Sequence, residues 1–298
     1  MTILCFGEAI ADLVCERDLA PGEEPDTFVP HAGGALANVA VGAARAGGEA
    51  ALLGGVGDDL WGDWLRRRLE SEGVHLGWLS RVSGVATPLA IVTFDGEGDP
   101  AFQVYGQGIE ATMRAGGAHL PEALAECEAL VFGSNTLVGP PERELTMLAR
   151  REAFDLGLPV LFDPNLRPNR WQRLDRAVAF CRELCDGAFI VKTSRHEAEL
   201  MTGSSDPPAA ALGLCELGAR IGVVTLGADG AVMRGASSGE VTAPEAEVVS
   251  ALGAGDAFMG ALAAGVSALG WESRSAAEAL PAAAAAGARA CQGWGAWD

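Results

Sequence analysis

Ser250-Ala-Leu-Gly-Ala-Gly-Asp-Ala-Phe258 sets a turn of small residues directly before an apolar segment of helical period that runs to Ala268. Such a turn aims several backbone N–H groups at one point, and the positive end of the helix dipole adds to them. Asp256 falls in the first turn of that helix. A carboxylate there can take a proton from a hydroxyl while the amides at Gly253, Ala254 and Gly255 hold an anion, the division of labour that phosphoryl transfer needs. The stretch also fits a plain helix start, with Asp favoured by the dipole. A dinucleotide-binding turn fits less well, because the Gly-x-Gly-x-x-Gly spacing is incomplete and little sequence follows for another βαβ unit.

Upstream, His31-Ala-Gly-Gly-Ala-Leu-Ala-Asn-Val-Ala-Val-Gly-Ala-Ala-Arg-Ala-Gly47 is a second glycine-led entry into a helix of small apolar residues, 35–46. Gly33 and Gly34 permit close approach of a ligand to the backbone. Asn38 is a polar residue in an apolar helix, so it must find a partner. A ligand hydroxyl and a neighbouring loop both qualify.

Outward from these two segments, β-type runs alternate with helical patterns. Strands are expected at 3–6, 51–54, 89–94, 101–104, 129–132, 159–162, 188–191 and 222–225, several of them continuous apolar runs of the kind covered on both faces. Helices are expected at 62–72, 140–156, 172–185 and 256–268, and a packed helix pair over 276–290, where Pro281 interrupts an Ala-rich run. The alternation predicts an α/β fold: a doubly wound, mostly parallel sheet sandwiched by helices, in one domain over 1–298. Two regions break the rhythm. Residues 11–32 are polar and carry Pro21, Gly22, Pro25 and Pro30; residues 86–110 hold two strand-like runs around Asp95-Gly96, a hairpin signal. They read either as a small β-appendage or as two surface excursions.

The net charge of −19 disfavours a nucleic-acid partner and means that an anionic ligand needs local positive potential. No apolar run approaches the ~20 residues of a membrane helix, and no secretory signal is visible at the start, so the expected location is the cytoplasm. The seven cysteines are odd in number and lack Cys-x-x-Cys spacing, which predicts reduced thiols serving as buried filler. His31, His75, His119 and His196 are scattered and form no metal set. Trp61, Trp64 and Trp78 read as packing residues; Trp294 and Trp297 could pack by a nucleotide pocket, but terminal packing fits better.

Taken together, Gly33-Gly34-Ala35-Leu36-Ala37-Asn38, then Gly55-Val56-Gly57-Asp58-Asp59 with Gly62, and Gly253-Ala254-Gly255-Asp256-Ala257-Phe258 resemble the two signatures of the PfkB, or ribokinase-like, carbohydrate kinases. Weaker matches follow in family order: Gly7-Glu8 with Asp12, Asp163-Pro164-Asn165-Leu166-Arg167, Glu197 at a helix start, and Thr225-Leu226-Gly227-Ala228-Asp229-Gly230. The resemblance runs from Gly7 to about Ala268.

It implies a ribokinase-like sandwich with a β-sheet lid, drawn here from 11–32 and 86–110, and ATP-dependent phosphorylation of a sugar hydroxyl. Asp256 would be the base, and the amides from Gly253 to Asp256 the anion hole. Asp12, Gly33, Gly34, Asn38, Tyr105 and Arg167 would face the sugar. Lys192, Glu197, Thr225, Gly227 and Gly230 would serve the nucleotide, with Glu197 positioning Mg2+ through water. Asp163-Pro164-Asn165-x-Arg167 followed by Trp171 is most similar to fructokinases and 2-keto-3-deoxygluconate kinases. Arg167 suits phosphate or a carboxylate through a forked hydrogen bond. A nucleoside kinase of the same fold and a sugar-binding protein without turnover are the alternatives. A lid-mediated homodimer is also consistent with the family.

Three departures stand out. The family's Asp-Thr pair before the Gly-Ala-Gly-Asp turn is replaced by Ser250-Ala251-Leu252, which leaves open the monovalent cation (K+) used in part of the family. Its Asn-x-x-Glu motif reads Ser194-Arg195-His196-Glu197. Tyr105 is followed by Gly106, where sugar-acid and fructose kinases of the family often carry Arg, which weakens the case for a carboxylate-bearing substrate and leaves the sugar open.

Overall fold

The computed structural model describes residues 2–20, 22–94 and 100–297. Pro21 and the Asp95-Gly96 turn signal lie outside the described residues. In chain order the elements are β1 (Thr2–Phe6), β2 (Ile10–Asp18), β3 (Val29–Gly33), α1 (Ala35–Arg45), β4 (Glu49–Gly57), α2 (Leu60–Ser71), β5 (Leu79–Val82), β6 (Leu89–Phe94) and β7 (Pro100–Tyr105). There follow α3 (Ile109–Gly117), α4 (Leu120–Glu126), β8 (Cys127–Gly133), α5 (Pro140–Asp155), β9 (Val160–Asp163), α6 (Leu174–Leu184), β10 (Ile190–Ser194), α7 (Arg195–Thr202) and α8 (Pro207–Glu216). The chain continues through β11 (Ile221–Thr225), β12 (Ala231–Gly235), β13 (Gly239–Val241), α9 (Ala254–Ala268) and α10 (Ser275–Ala290).

The large sheet has nine strands in the order β13-β12-β11-β10-β9-β8-β1-β4-β5. From β5 to β11 every pairing is parallel; β12 and β13 join antiparallel at one edge. Helices cover both faces, and the period of two divides the core between them. Ile3 and Cys5 face a cluster shared with α1, α9 and α10. Leu4 and Phe6 face the other, where Phe132 stacks on Phe162 with ring centroids 4.8 Å apart. This is the doubly wound α/β fold that the strand–helix alternation predicts.

The polar segment 11–32 contains regular strands. β2 and β3 pair antiparallel, β2 pairs parallel with β6, and β6 pairs antiparallel with β7, giving a separate four-stranded sheet in the order β3-β2-β6-β7. Pro30 is tolerated because β3 is an edge strand. The expected helix pair over 276–290 is instead one helix, α10, with Pro281 inside it. Alanine's helix propensity carries the run across the one backbone hydrogen bond that proline removes. Its small residues also let it lie close against α9: a Cβ on Gly265 would come within 2.6 Å of the Ala279 Cβ. All seven cysteines are thiols, five of them buried, and burial pushes the Cys127 thiol up to about 12. No helix among the described residues is long and apolar enough to cross a membrane.

Parallel strands present their C-terminal ends on one rim, where open α/β sheets bind ligands. That rim carries Asp163 at the end of β9, Ser194 at the end of β10 and Thr225 at the end of β11, with the small sheet beside it.

Candidate active site

Asp256 occupies the first turn of α9 and is 5% exposed. Gly253, the N-cap, has φ 75°, a left-handed conformation that glycine adopts without steric cost. A Cβ there would also lie 2.3 Å from the Ala296 Cβ. The Ala254 N–H donates to Ala251 O at 3.3 Å, which closes the turn.

Two amides hold the Asp256 carboxylate: Asn38 Nδ2 donates to Oδ2 and Asn165 Nδ2 to Oδ1, both at 2.8 Å. Asn165 sits just past β9 with φ 41°, a backbone state that Asn tolerates better than most residues. Burial raises the Asp256 carboxyl above its ordinary value; Lys192, the Asn38 N–H and Arg167 pull it back, while Glu197 adds to the rise.

Lys192, on β10, is buried with its Nζ 2.7 Å from Asp163 Oδ2 and 3.2 Å from Gly255 O. A Cβ at 255 would come within 2.9 Å of that ammonium, so a larger residue there would push Lys192 aside. Burial opposes the Lys192 charge, but Asp163, Glu197 and Asp256 outweigh burial and hold the ammonium above its usual range. Glu197 is fixed at the start of α7 in a capping box: Oε2 accepts from Ser194 N at 2.8 Å, and Oε1 reaches Leu166 N at 2.6 Å.

The structure brings together most of the residues singled out in the sequence. A cavity of about 700 Å³ is walled by Asp256, Gly253, Lys192, Glu197, Arg167 and Phe102, among others. A second cavity, about 610 Å³, opens on the far side of the turn between Gly227, Gly230, Val248, Phe258 and Gly287. Thr225, Ala251 and Gly255 border both.

Asp12 lies on β2 with its carboxylate against Gly33, so close that a Cβ on Gly33 would sit 2.1 Å from Oδ2. Burial pushes Asp12 up to about 7 against the pull of Arg167 and His31, with Asp256 and Glu8 adding to the rise. Gly34 is the N-cap of α1. Asn38 turns toward the Asp256 carboxylate, with its Oδ1 taken by Trp297 Nε1 at 2.7 Å.

Tyr105 is not brought to the cavity wall. It is 43% exposed, and β7 alternates so that Phe102, three residues earlier, points the other way. Phe102 lines the cavity instead, with the Arg167 guanidinium 4.8 Å from its ring centre. Asn165, Phe102 and Trp297 were not singled out as site residues. Asn165 had a signal in the Asp163-Pro164-Asn165 break after a buried strand; nothing in the sequence tied Trp297 to Asn38.

The donor set suits a nucleotide-borne divalent ion better than a protein cage. Among the described residues no group of three or more metal-ligating side chains exists. Glu197 spends one hydrogen bond per oxygen on the backbone, leaving lone pairs for water, and Asp163 Oδ1 is buried without a partner. At the position where part of the family carries a carboxylate, Ser250 supplies none; its hydroxyl donates to Gly293 O at 3.1 Å and lies 3.3 Å from Trp294 O.

The sequence profile of the pfkB family carbohydrate kinases matches residues 2–297. The chain belongs to this family. It is 34% identical over 263 residues to fructokinase-1 of Oryza sativa subsp. japonica, covering 87% of this chain and 81% of that one. Aminoimidazole riboside kinase of Salmonella enterica, solved with aminoimidazole riboside and an ATP analogue, superposes with a TM-score of 0.81 at 30% identity over 100% of this chain and 95% of that one. Fructokinase of Vibrio cholerae O395, solved with fructose, ADP and a calcium ion, gives 0.82 at 28% identity over 99% and 94%. This PfkB-family protein is therefore a phosphotransferase of the sugar or nucleoside kinase class with a ribokinase-like fold.

Proposed function

We propose that this kinase transfers the terminal phosphoryl group of ATP to a hydroxyl of a free sugar, a ketohexose such as fructose in the first place, with Asp256 as the base. The observation that carries the reading is the placement of Asp256: a buried carboxylate held by two amides, at the turn that divides two cavities. Asp256 would accept the hydroxyl proton as the oxygen attacks phosphorus. The turn from Gly253 to Asp256 would stabilise the equatorial phosphoryl oxygens through its amides and the α9 dipole. Lys192 would lend positive charge to the same oxygens. A divalent ion carried by the nucleotide would neutralise phosphate charge, with Glu197 reaching it through water.

Asp12, Gly33, Gly34 and Arg167 form the sugar side, and Thr225, Gly227 and Gly230 the nucleotide side, where the walls are largely small and apolar. The four-stranded sheet is the lid of this single-domain kinase, closing over the sugar to exclude water and limit ATP hydrolysis. Fructose is favoured by the fructokinase relatives. One observation supports a nucleoside instead: the Phe102 ring in the cavity wall offers a base something to stack on.

The test is ADP release with ATP and Mg2+ across fructose, tagatose, ribose, 2-keto-3-deoxygluconate and a set of nucleosides that includes aminoimidazole riboside. Fructose turnover is expected, and Asp256→Asn should lower it by about 10²–10⁴-fold. Near-normal turnover in that variant would sink the base assignment. Turnover of a riboside but no sugar would move the substrate to the nucleoside class, and sugar binding without ADP release would favour the non-catalytic alternative.

A further inference from the structure

Asn38 and Trp297 are separated by most of the chain yet meet beside Asp256. Trp297 is 4% exposed, and its Nε1–H can only donate. The Asn38 atom 2.7 Å from it must therefore be the carbonyl Oδ1, which leaves the Nδ2 amide facing Asp256 Oδ2 at 2.8 Å. Were the amide turned round, two oxygens would face each other across that distance. The indole thus fixes which way Asn38 points.

Trp297 is itself held in place. Arg45 Nη2 donates to Trp297 O at 2.8 Å, and Arg45 makes a forked pair with Glu72 at 2.7 and 2.8 Å. Asn38 and Arg45 are seven residues apart on α1, two helical turns, so one helix face grips both ends of the tryptophan. The same segment braces the turn: the Ser250 hydroxyl ties to Gly293 and Trp294, and Ala296 packs against Gly253.

We infer that Trp297 is a positioning residue for phosphoryl transfer, acting through Asn38 to aim and hold the Asp256 carboxylate. The inference rests on Asp256 being the base. Trp297 lines neither the cavity at Asp256 nor the one beyond the turn. Its contribution is to turnover rather than to ATP binding.

The experiment is a double-mutant cycle on kcat with Trp297→Phe, Asn38→Ala and the pair, read together with KM for ATP, thermal unfolding and the pH profile of kcat. Phenylalanine keeps most of the buried ring and removes only the N–H. Trp297→Phe should lower kcat by about ten- to a hundredfold, as expected for orphaning a buried acceptor, with KM for ATP unchanged. The loss should largely vanish in the Asn38→Ala background, because the two residues act in series. The acid limb of kcat should move upward by roughly one pH unit in Asn38→Ala, where Asp256 loses its N–H donor, and in the same direction by less in Trp297→Phe, where that donor is no longer held in place. The groups facing Asp256 there are Asp12 on β2, Asp163 and Arg167 at and after β9, Lys192 on β10 and Glu197 on α7. All of them stay in place in these variants.

Additive losses in the cycle, or an unmoved acid limb, would overturn the positioning role and leave Trp297 as a packing residue. Asp256→Asn separates the two levels. If it retains turnover, the base assignment itself is wrong; if it is inactive while Trp297→Phe keeps wild-type kcat, the relay alone is wrong.

Discussion

Lys192 and Asp163 form the most buried ion pair of the site, with side chains 6% and 3% exposed and the atoms 2.7 Å apart. A buried pair contributes little net stability over an apolar pair of similar size, but removing one partner strands the other charge in low dielectric. Three carboxylates, Asp163, Glu197 and Asp256, lean on this one ammonium. Lys192→Met should therefore cost about 3–5 kcal/mol and lower the midpoint of thermal unfolding by on the order of 10 °C. Adding Asp163→Asn to that variant should recover part of the loss, because it removes the nearest stranded charge. Scanning calorimetry of the two variants without ligand decides the matter: a single variant as stable as wild type would mean that water reaches the pair. Sequence alone could place Lys192 on a buried strand and Asp163 at a strand end. It could not show that they meet, since their pairing depends on β9 and β10 being neighbours.

At the scale of elements, six of the eight strands expected from the sequence belong to the large sheet, where apolar runs are buried on both faces and composition speaks plainly; the other two, β6 and β7, are apolar runs of the small sheet. β2 and β3 are not among the expected strands because β2 carries Asp12, Glu16, Arg17 and Asp18 and prolines precede and enter β3, so 11–32 reads either as a β-appendage or as a polar surface excursion. β5, β12 and β13 are short edge or near-edge strands broken by Ser80, Arg81 and glycines. The active-site turn was legible for the opposite reason: small residues before an apolar helix have few other uses. What the turn rests on was not legible. Ser250 reads as a lost carboxylate, and only the fold shows its hydroxyl tying β13–α9 backbone to Gly293 and Trp294 behind α10. This hydrogen bond predicts turnover that is the same in potassium, sodium or tetramethylammonium chloride at equal ionic strength. Ser250→Asp should place a carboxylate against two carbonyl oxygens, destabilise the protein in tetramethylammonium chloride, and recover when potassium is supplied. Potassium activation of the wild-type protein would show that the hydroxyl yields its place to the ion.

Over the whole molecule, a net charge of −19 surrounds a site whose ligand is an anion. Within the cavity beside Asp256 the cations are few: Lys192 is matched by its carboxylates, and Arg167 lies over Phe102. The amides of the Gly253–Asp256 turn would attract phosphate only at contact range, whereas the surface charge acts at a distance. At 0.01 M salt the Debye length is about 30 Å, so an approaching nucleotide feels the repulsion of the entire protein; at 0.15 M it is about 8 Å and most of that field is gone. Proteins that steer anions inward lose association rate as salt rises. Here the sign should reverse. The value of kcat/KM for ATP should climb as sodium chloride is raised from 10 to 150 mM, while kcat at saturating ATP stays level. The same titration reads the acceptor's charge. A neutral sugar such as fructose should show a flat kcat/KM, and a sugar acid should climb alongside ATP. A fall in kcat/KM for ATP with salt would mean that the local field of Arg167, Lys192 and the α9 turn outweighs the surface, which would make Arg167→Gln the next variant to measure.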